Sequence, residues 1–565
     1  MNYRWKLKKK YDDDTVHNLA KSLRIPKSLA RVLTGRGMEN EQDVEKFFNP
    51  SMSEIHDPYL MDDMDKAVDR ILKAVENKEL IWVHGDYDVD GTASTALVCQ
   101  FIREIGGIVE YYIPDRFTDG YGLSEKSIQL GLDKGAKVLL TVDVGITSYE
   151  PLKFAGTTDI DTIICDHHEP GDILPDVYAI LDPLKPNDNY PFKYLSACGV
   201  AFKLIQGIAI KLGNEALAFK YLDYVAIASV ADMVPLYGEN RSLVHFGLEL
   251  LNRSMRSGLK GLMYCTGLKD GSMTASNIVF AVAPLINAAG RLGDAKRSVE
   301  MMMQEDENAA FRIAQELEEE NRKRRLFDRR TFEDSIPYAE AQIKEDNARA
   351  LVLFKEDWHA GVIGIVASRL VDRFNMPTVL MTSIDGIAKG SARSVNNFDV
   401  HSALKKCEDL LLEYGGHRHA AGLSLEIDNI PEFRRRFNEI ALENLSQDML
   451  VPEIEIDSEL ELNELSPHFL ETLNRFAPYG FANYKPIFYS KGVKSVNGIK
   501  IVGNNSIRFR AIQNNFVIDA MGQNLAHKIN LCNKGKAFRI VFNLEMNNFN
   551  GQSSPQLNIK DIQPD

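Results

Sequence analysis

Short apolar runs alternate with amphipathic segments along residues 61–300 of this chain. The runs "LIWVH", "GIVEYYI", "KVLLTVD" and "DTIICD" have the pattern of buried β-strands. Segments with helical spacing, such as "GTASTALVCQFIREIG" and "SEKSIQLGLDKG", separate them. This alternation predicts βαβ units around a mainly parallel sheet, so residues 61–300 are expected to form an α/β domain.

The rest of the chain divides into four further segments by the same criterion. Residues 1–60 have helical spacing, and "KSLARVLTGRG" ends in a glycine stop signal. Residues 301–345 are predicted to form a long polar connecting helix, because the centre of this segment lacks a wide apolar stripe. A second, smaller α/β segment is expected over residues 346–450. Residues 451–565 show two-residue alternation and turns such as "NNFNG", which predict an all-β barrel or sandwich.

Carboxylate and imidazole side chains end several predicted strands of residues 61–300. Three aspartates stand at alternate positions in "HGDYDVDG", and another interrupts the apolar run "VAIASVADMVPL". Because the loops at the carboxyl ends of parallel strands lie along one edge of a sheet, these groups are expected to meet there. The candidates are His84, Asp86, Asp88 and Asp90 after the first strand, Asp143 after the third, Asp166, His167 and His168 after the fourth, and Asp232.

A metal centre explains this concentration of like charges better than helix capping does. A single aspartate after a strand usually caps the next helix. Several carboxylates converging on one edge, however, repel one another strongly at an effective dielectric of about 20 unless a cation neutralises them. Carboxylate and imidazole ligands without thiolate favour Mn²⁺ or Mg²⁺ over structural zinc. The ligands are too many for one ion, and an aspartate bridging two ions about 3.5–4 Å apart would make a hydrolytic site for a phosphoryl group.

The composition is that of a globular protein of a reducing compartment. With 565 residues, 44% of them hydrophobic and 26% charged, the chain is long enough for about two to four domains. The six cysteines form no CxxC pair, which argues against a zinc ribbon or a disulfide framework. No signal sequence and no run of ~18 apolar residues is present, so a cytoplasmic protein without membrane contact is predicted. The net charge of −14 does not exclude a nucleic-acid partner, because global charge says little about one groove.

Four motifs match a known superfamily in order. They are "HGDYDVDG", "TVDVG", "CDHHEP" and "ASVADMVP", and through them the chain resembles the DHH phosphoesterases, named after the tripeptide that stands here at residues 166–168. The stretches "NAAGRLGDA" and "GGHRHAAG" resemble the accessory DHHA1 module, and residues 451–565 resemble an OB-fold. The whole arrangement is similar to that of the RecJ family of single-stranded-DNA exonucleases, over nearly all of the chain except its N-terminal helices.

The resemblance implies two divalent cations, Mn²⁺ or Mg²⁺, and a role for each motif residue. The implied ligands are His84 and Asp88 for one cation, Asp90, His167 and Asp232 for the other, and Asp143 for both. Asp166 would orient the neighbouring imidazoles. His168 would face the scissile phosphate and stabilise the charge that develops on it. Asp86 receives no definite role and would lie behind the ligands or in a turn.

The resemblance also implies phosphate-binding groups around the metal centre. Ser391 and Arg393 in "KGSARS" would help to hold the 5′ end of a strand, and Gly416 would allow close backbone approach to a phosphate. The full implied set is Arg116, Asn287, Arg291, Ser391, Arg393, Gly416 and His417. Relatives often have an arginine where this chain has Leu285, and this departure puts one contact near Asn287 in question.

Aromatic residues are interleaved with lysines in the predicted C-terminal domain. The stretch "FAPYGFANYKPIFYSKGVK" carries Phe476, Tyr479, Phe481, Tyr484 and Phe488. Such a pattern suits single-stranded DNA, because bases stack on aromatic rings while lysines follow the phosphates. The same rings also suit the core of a β-barrel, so both interpretations remain open for each residue.

The motifs and the resemblance together predict an exonuclease that hydrolyses single-stranded DNA from its 5′ end and releases 5′-mononucleotides in DNA repair and recombination. We expect the chain to be a monomer. We also expect a helicase and a single-strand-binding protein as partners, because the chain lacks the P-loop GxxxxGK[ST] of a helicase and so cannot use one to open a duplex. The alternatives are a phosphodiesterase for short oligoribonucleotides or cyclic dinucleotides, an inorganic pyrophosphatase and a non-catalytic scaffold. The added C-terminal domain argues against the first two, and the complete ligand set argues against the third.

Overall fold

The computed structural model describes residues 3–8, 11–115, 119–120, 122–292, 294–345, 347–496, 498–503, 505–532, 535–549 and 552–565. Within these ranges the chain forms a parallel-sheet domain, a long connecting helix, a smaller α/β domain and a C-terminal barrel, which confirms the predicted fold class. Among the described residues, only Ala275–Leu292 is long and apolar enough to cross a membrane, and half of this stretch is buried inside the protein, as in a core helix.

The N-terminal segment begins with a strand that the sequence pattern did not predict. Strand β1 (Arg4–Leu7) pairs in parallel with β12 (Glu453–Ile456), far along the chain. So short a strand is not stable alone, and residues 4–7 form a strand only because they pair with β12. The helices that follow are α1 (Asp13–Ser22), α2 (Lys27–Gly35), α3 (Glu41–Phe48) and α4 (Met64–Glu76).

A parallel sheet forms the centre of the first domain, as predicted. Its strands are β2 (Leu80–Gly85), β3 (Ile108–Tyr112), β4 (Ala136–Val142), β5 (Asp161–Cys165) and β6 (Ala179–Leu181). They lie in the order β3-β2-β4-β5-β6, and each neighbouring pair is parallel. The strand order reverses at β2, and such a reversal opens a crevice at the carboxyl edge of the sheet.

Helices cover both faces of this sheet. The helices of the first domain that follow β2 in the chain are α5 (Val89–Glu104), α6 (Glu125–Asp133), α7 (Tyr149–Ala155), α8 (Ala197–Lys211), α9 (Ala216–Phe219), α10 (Leu222–Ala231), α11 (Gly238–Arg253), α12 (Ser257–Thr266), α13 (Ala275–Asn277), α14 (Ala283–Leu292) and α15 (Lys296–Met303). Helices α6 and α7 pack on one face, and α4, α5 and α8 on the other. Almost every residue of α10 is buried, so this helix lies at the centre of the larger core.

The predicted connecting helix, α16 (Glu307–Glu345), leads into the second α/β domain. That domain contains β7 (Leu351–Phe354), α17 (Ile363–Phe374), β8 (Thr378–Ile384), β9 (Ile387–Arg393), α18 (Val400–Lys405), β10 (Glu413–His417), β11 (Ala420–Glu426) and α19 (Ile430–Asn444). Its strand order is β10-β11-β9-β8-β7. The β7–β8 pair is parallel and the other pairs are antiparallel, so two α/β domains of different topology flank the long helix.

The C-terminal strands close into a barrel. They are β13 (Ser458–Glu459), β14 (Phe488–Ser495), β15 (Lys500–Val502), β16 (Ser506–Gln513), β17 (Phe516–Gly522), β18 (Phe538–Phe549) and β19 (Gln552–Pro564), with α20 (Pro467–Asn474) before β14. Pairing of β14 with both β18 and β16 completes the ring. Helices α1, α2 and α3 share one apolar core with this barrel, so the two ends of the chain fold together.

Candidate metal centre

Four elements of the first domain bring polar side chains to the carboxyl edge of its sheet. His84 lies on β2, Asp143 directly follows β4, His167 follows β5, and Asp232 ends α10. Asp143 has a φ angle of 65°, a left-handed conformation that turns the chain sharply at the end of the strand. The fold therefore brings Asp143, His167 and Asp232 together from well-separated parts of the sequence, and His84 lies on the same edge of the sheet.

The two aspartates at the start of α5 are held by backbone N–H groups. Asp88 caps this helix, and its Oδ1 accepts hydrogen bonds from the N–H groups of Asp90 and Gly91 at 2.8 and 3.1 Å. The carboxylate of Asp90 accepts from the N–H groups of Ala197 and Cys198, at the start of α8, both at 2.8 Å. Each of the two carboxylates still has an oxygen lone pair for a cation, so capping and metal binding are compatible here.

His167 lies at the centre of the acidic cluster. Its Nε2 is 3.3 Å from Asp143 Oδ1 and 3.8 Å from a carboxylate oxygen of both Asp90 and Asp232. Its Nδ1 lies 3.2 Å from the carbonyl oxygen of Leu195, to which it can donate a hydrogen bond. A proton on Nδ1 leaves Nε2 as the nitrogen that faces the carboxylates and can bind a metal.

The ligand atoms form three overlapping groups, and within each group they lie within 4.8 Å of one another. The groups are Asp90, His167 and Asp232; Asp86, Asp88 and Asp143; and Asp143, His167 and His168. Asp143 is common to the second and third groups, and it also neighbours His167 of the first. That position between groups suits the bridging role that the resemblance implies for Asp143.

The electrostatics of the cluster show why a cation belongs there. Burial, and then repulsion by Asp90 and Asp88, raises the pKa of Asp143 well above its usual value. Burial and the charge of Asp90 raise the pKa of Asp232 to about 7. Buried carboxylates that repel in this way are costly to ionise, and a divalent cation among them would reverse the local field.

His84 stands outside the three groups, but its surroundings suit a metal ligand. The residue is fully buried, and neither ring nitrogen has a hydrogen-bond partner among the described residues. Burial lowers the pKa of His84 to about 4, so its imidazole is neutral, the form that binds metals. A buried imidazole without a partner is unfavourable, and a cation would provide the missing partner.

Asp166 orients the two histidines and does not face the carboxylate cluster. Its Oδ1 accepts from the backbone N–H of His167 at 2.8 Å and from Nδ1 of His168 at 2.7 Å, while Oδ2 accepts from the N–H of Ile146 at 3.0 Å. Burial opposes a charge on His168, but the hydrogen bond and the charge of Asp166 outweigh it and raise the pKa of His168 to about 9. These contacts match the orienting role implied for Asp166.

A cavity of about 810 Å³ lies in the second α/β domain, and Arg291 of the first domain also lines it. Its lining includes four predicted substrate residues, Arg291 from α14, Ser391 and Arg393 from β9, and Gly416 from β10. Nη1 of Arg393 donates to Oγ of Ser391 at 2.8 Å. Gly416 has a φ angle of 134°, and a Cβ there would lie 2.5 Å from a backbone oxygen, so only glycine fits this bend.

The other predicted substrate residues lie apart from this lining. Asn287 lies one helical turn before Arg291 on α14, and its Oδ1 is buried without a hydrogen-bond partner among the described residues. His417 follows Gly416 and is exposed. Arg116 lies outside the described residues. Helix α14 packs at Gly290 against the loop between β2 and α5, where a Cβ would lie 2.8 Å from the carbonyl oxygen of Tyr87.

Family models match this chain over all three predicted modules. The model of the DHH family N-terminal domain matches residues 80–229, the DHHA1 domain matches 347–443, and the RecJ OB domain matches 456–561. The single-stranded-DNA-specific exonuclease RecJ of Bacillus subtilis is 36% identical over 562 residues, which cover 99% of this chain and 70% of that protein. This chain belongs to the RecJ family. RecJ of Escherichia coli is 31% identical, with 96% of each chain covered.

A solved RecJ structure has the same architecture. The crystal structure of RecJ in complex with Mn²⁺ from Thermus thermophilus superimposes with a TM-score of 0.84 at 26% identity. The superposition covers 100% of this chain and 80% of that one. The order of domains described above is therefore the order of a RecJ protein.

The departure at Leu285 concerns packing in this RecJ-family member. Leu285 is 2% exposed and belongs to the main apolar core of the first domain. A leucine in that environment contributes burial of apolar surface and makes no phosphate contact. The change therefore leaves the ligand groups around Asp143 untouched.

Two acidic residues of the site were not assigned from the sequence. Asp86 is 3% exposed and shares a ligand group with Asp88 and Asp143. Asp182 directly follows β6, is fully buried, and has its pKa raised to about 7 by burial and by the charge of Asp166. The signal for Asp182 was the apolar run "AIL" ending in an aspartate, the same pattern that revealed Asp143 and Asp166.

Proposed function

We propose that this chain is an exonuclease that hydrolyses the terminal phosphodiester of single-stranded DNA with two divalent cations, Mn²⁺ or Mg²⁺. The observation that carries the proposal is the position of His167, whose Nε2 lies within 3.8 Å of carboxylates from three separate elements. The relatives named single-stranded-DNA-specific exonuclease support this substrate. The Mn²⁺ in the Thermus thermophilus RecJ structure supports the choice of metal.

The residues around His167 fit a two-cation site. We assign His84 and Asp88 to one cation, Asp90, His167 and Asp232 to the other, and Asp143 to both. The chemistry supplied by two such cations is an activated water and neutralisation of the charge on the phosphoryl oxygens. The buried nitrogens of His84 have no hydrogen-bond partner in the part of the chain that the structure describes, which favours this set over one restricted to the three ligand groups.

His168 is the group that we assign to the scissile phosphate. With its pKa raised to about 9, the imidazole carries a proton at neutral pH and can donate a charge-assisted hydrogen bond to a phosphoryl oxygen. Asp166 holds Nδ1 of this ring at 2.7 Å, which leaves Nε2 as the donor. Asp166 therefore acts through His168 and His167 and is a positioning residue.

We propose that the strand is degraded from its 5′ end and that this end enters the cavity lined by Arg291, Ser391 and Arg393. Arg291, Ser391 and Arg393 would hold the terminal 5′ phosphate, and the barrel would extend the path of the strand. Asn287, Arg116 and His417 remain further candidates for phosphate contacts. We propose that the chain works as a monomer in the cytoplasm, in DNA repair and recombination, with a helicase and a single-strand-binding protein supplying its substrate.

A timed digest of end-labelled DNA tests this function. Single-stranded DNA, duplex DNA and a dinucleotide are each incubated with Mn²⁺, Mg²⁺ or EDTA, with the label at the 5′ or the 3′ end. We expect early release of 5′-labelled mononucleotide from the single strand alone, and none in EDTA. Degradation that persists in EDTA, or cleavage of the dinucleotide alone, would contradict the proposal.

A pair of variants controls this digest. Asp143→Asn removes the charge of the proposed bridging ligand and should abolish metal-dependent release. Asp133→Asn makes the same chemical change at the exposed end of α6 and should leave the rate unaltered. Equal rates for the two variants would locate the active site elsewhere.

A further inference from the structure

We propose that a cluster of aromatic side chains beside the metal centre is a stacking surface for the unpaired bases of the DNA strand. This cluster, the aromatic platform, consists of Phe192, Tyr194 and Tyr237 in the first domain and Phe481 and Tyr484 in the C-terminal domain. The proposal rests on the proposed exonuclease function. It adds a binding surface formed in part by residues outside the four motifs and outside the cavity lined by Ser391 and Arg393.

The three rings of the first domain support one another. Their centroids are 5.9 Å apart in every pair, and their planes are inclined by 70 to 83°. Phe192 is 8% exposed and forms the base of the cluster, whereas Tyr194 and Tyr237 are 51% and 44% exposed. Edge-to-face packing of this kind fixes each tyrosine ring while leaving much of its surface in solvent.

The platform is tied to the proposed metal ligands through the backbone. The carbonyl of Leu195, the residue after Tyr194, lies against Nδ1 of His167 at 3.2 Å. The amide of Asn240 donates to the carbonyl oxygens of Tyr194 at 2.6 Å and Pro235 at 3.1 Å. Pro235 is three residues after Asp232, so one platform segment carries the proposed ligand Asp232 and the other contacts the proposed ligand His167.

The C-terminal domain continues the platform across the domain boundary. The N–H of Leu236, next to Tyr237, donates to the carbonyl oxygen of Phe481 at 2.9 Å. Phe481 and Tyr484 are 43% and 58% exposed, and their rings pack edge to face at 6.2 Å. A backbone hydrogen bond therefore joins the segment that bears Tyr237 to the segment that bears Phe481 and Tyr484, so exposed rings of both domains lie on connected segments.

Unpaired bases are the partner that suits this surface best. Large exposed aromatic groups are unfavourable in water and usually mark a binding site. The face of an aromatic ring stacks on the flat face of a base and offers no cation to a phosphate, so a strand would turn its bases toward the rings. Stacking also tolerates any base, because every base has a π face, and an enzyme that digests a whole strand needs that tolerance.

The test compares a normal single strand with the same strand lacking its bases. Binding of each labelled oligodeoxynucleotide is measured by fluorescence anisotropy in EDTA, for the unmodified protein and for the Tyr194→Ala/Tyr237→Ala variant. Loss of one stacked base corresponds to about 5- to 140-fold in affinity, so the variant should bind the normal strand at least about 5-fold more weakly. It should bind the abasic strand as the unmodified protein does. In turnover with Mn²⁺, KM for the normal strand should rise by the same factor while kcat changes by less than about twofold.

Two outcomes would overturn the proposal. Unchanged binding of the normal strand would show that no base rests on these rings, and equal losses for both strands would indicate a packing role or a contact with the sugar-phosphate backbone. The Tyr194→Phe/Tyr237→Phe variant should recover most of the lost affinity, because the ring rather than the hydroxyl stacks. Tyr264→Ala is the matched control, since it removes a 73% exposed tyrosine on α12, outside the platform.

The same experiment separates failure of the platform from failure of the exonuclease function. If the unmodified protein degrades no single strand with Mn²⁺, the proposed function is wrong and the platform proposal falls with it. If the unmodified protein is active and the double variant binds both strands normally, only the platform proposal is wrong.

Discussion

Arg241 joins the first domain to both ends of the chain, and its replacement by methionine should destabilise the protein by about 3 kcal/mol. Its side chain is buried on α11 and donates to four backbone carbonyls. Nε donates to Phe47 at 2.8 Å and Nη1 to Phe476 at 3.1 Å. Nη2 donates to Arg475 at 3.1 Å and to Ala477 at 2.7 Å. The guanidinium thus links α3 and the loop after α20 to the first domain through hydrogen bonds.

The magnitude follows from two opposing terms. Four hydrogen bonds from a charged donor contribute at least about 1.5 kcal/mol each, or about 6 kcal/mol together. Burial, followed by the charge of Arg36, lowers the pKa of Arg241 from 12.5 to about 10, which corresponds to about 3 kcal/mol against the buried charge. Methionine removes that cost but leaves four carbonyl oxygens without a donor, so the net loss is about 3 kcal/mol.

Urea unfolding followed by circular dichroism measures this difference. Arg253→Met is the matched control, because Arg253 lies at the end of the same helix with a side chain that is 76% exposed, and it should change stability by less than about 0.5 kcal/mol. Arg241→Lys keeps the charge but loses the planar fork, so its stability should lie between those of the unmodified protein and the methionine variant. Equal unfolding midpoints for Arg241→Met and Arg253→Met would refute the reasoning.

Three further predictions concern single positions. Metal-free His84→Leu should be at least as stable as the unmodified protein, because the imidazole makes no hydrogen bond to any described residue, but Mn²⁺ should stabilise the variant less. Thermal unfolding with and without Mn²⁺ measures this, and an equal response to Mn²⁺ would exclude the ligand role. The pKa of Asp119 is lowered from 3.8 to about 2, chiefly by the hydrogen bond from Lys126. The ionised carboxylate therefore stabilises the fold fully above about pH 4, and this contribution is lost as the pH falls through about 2. Unfolding of Asp119→Asn across that range should show a smaller loss of stability with acid than the unmodified protein, and an identical pH dependence would refute the assignment. Gly416→Ala should weaken binding of a 5′-phosphorylated strand about tenfold, through roughly 1–3 kcal/mol of backbone strain. Gly415→Ala is the control and should fold without strain, because a Cβ at Gly415 meets no atom within 4 Å. Equal affinities for the two variants would argue against a special role of Gly416.

Side chains placed by local geometry were predictable from the sequence. The apolar runs before His84, Asp143 and Asp166 show where strands end, and parallel pairing then requires those ends to share an edge. Asp182 was not predicted as a site residue, because β6 spans only Ala179–Leu181 and so short an apolar run was not recognised as a strand. The same physical rule applies to it, and only the strand itself was missed.

Patterns of a few residues were therefore sufficient for the order of the domains, the parallel sheet and most of the acidic cluster. Strand periods and turn residues are local, and the direction of each strand end follows from them. Long-range packing settled the rest: the pairing of β1 with β12, the four carbonyls around Arg241, and the exposure of Tyr194 and Tyr237 beside Phe481. These features join residues that lie hundreds of positions apart. The sequence near an aromatic residue does not determine whether distant parts of the folded chain will bury its side chain.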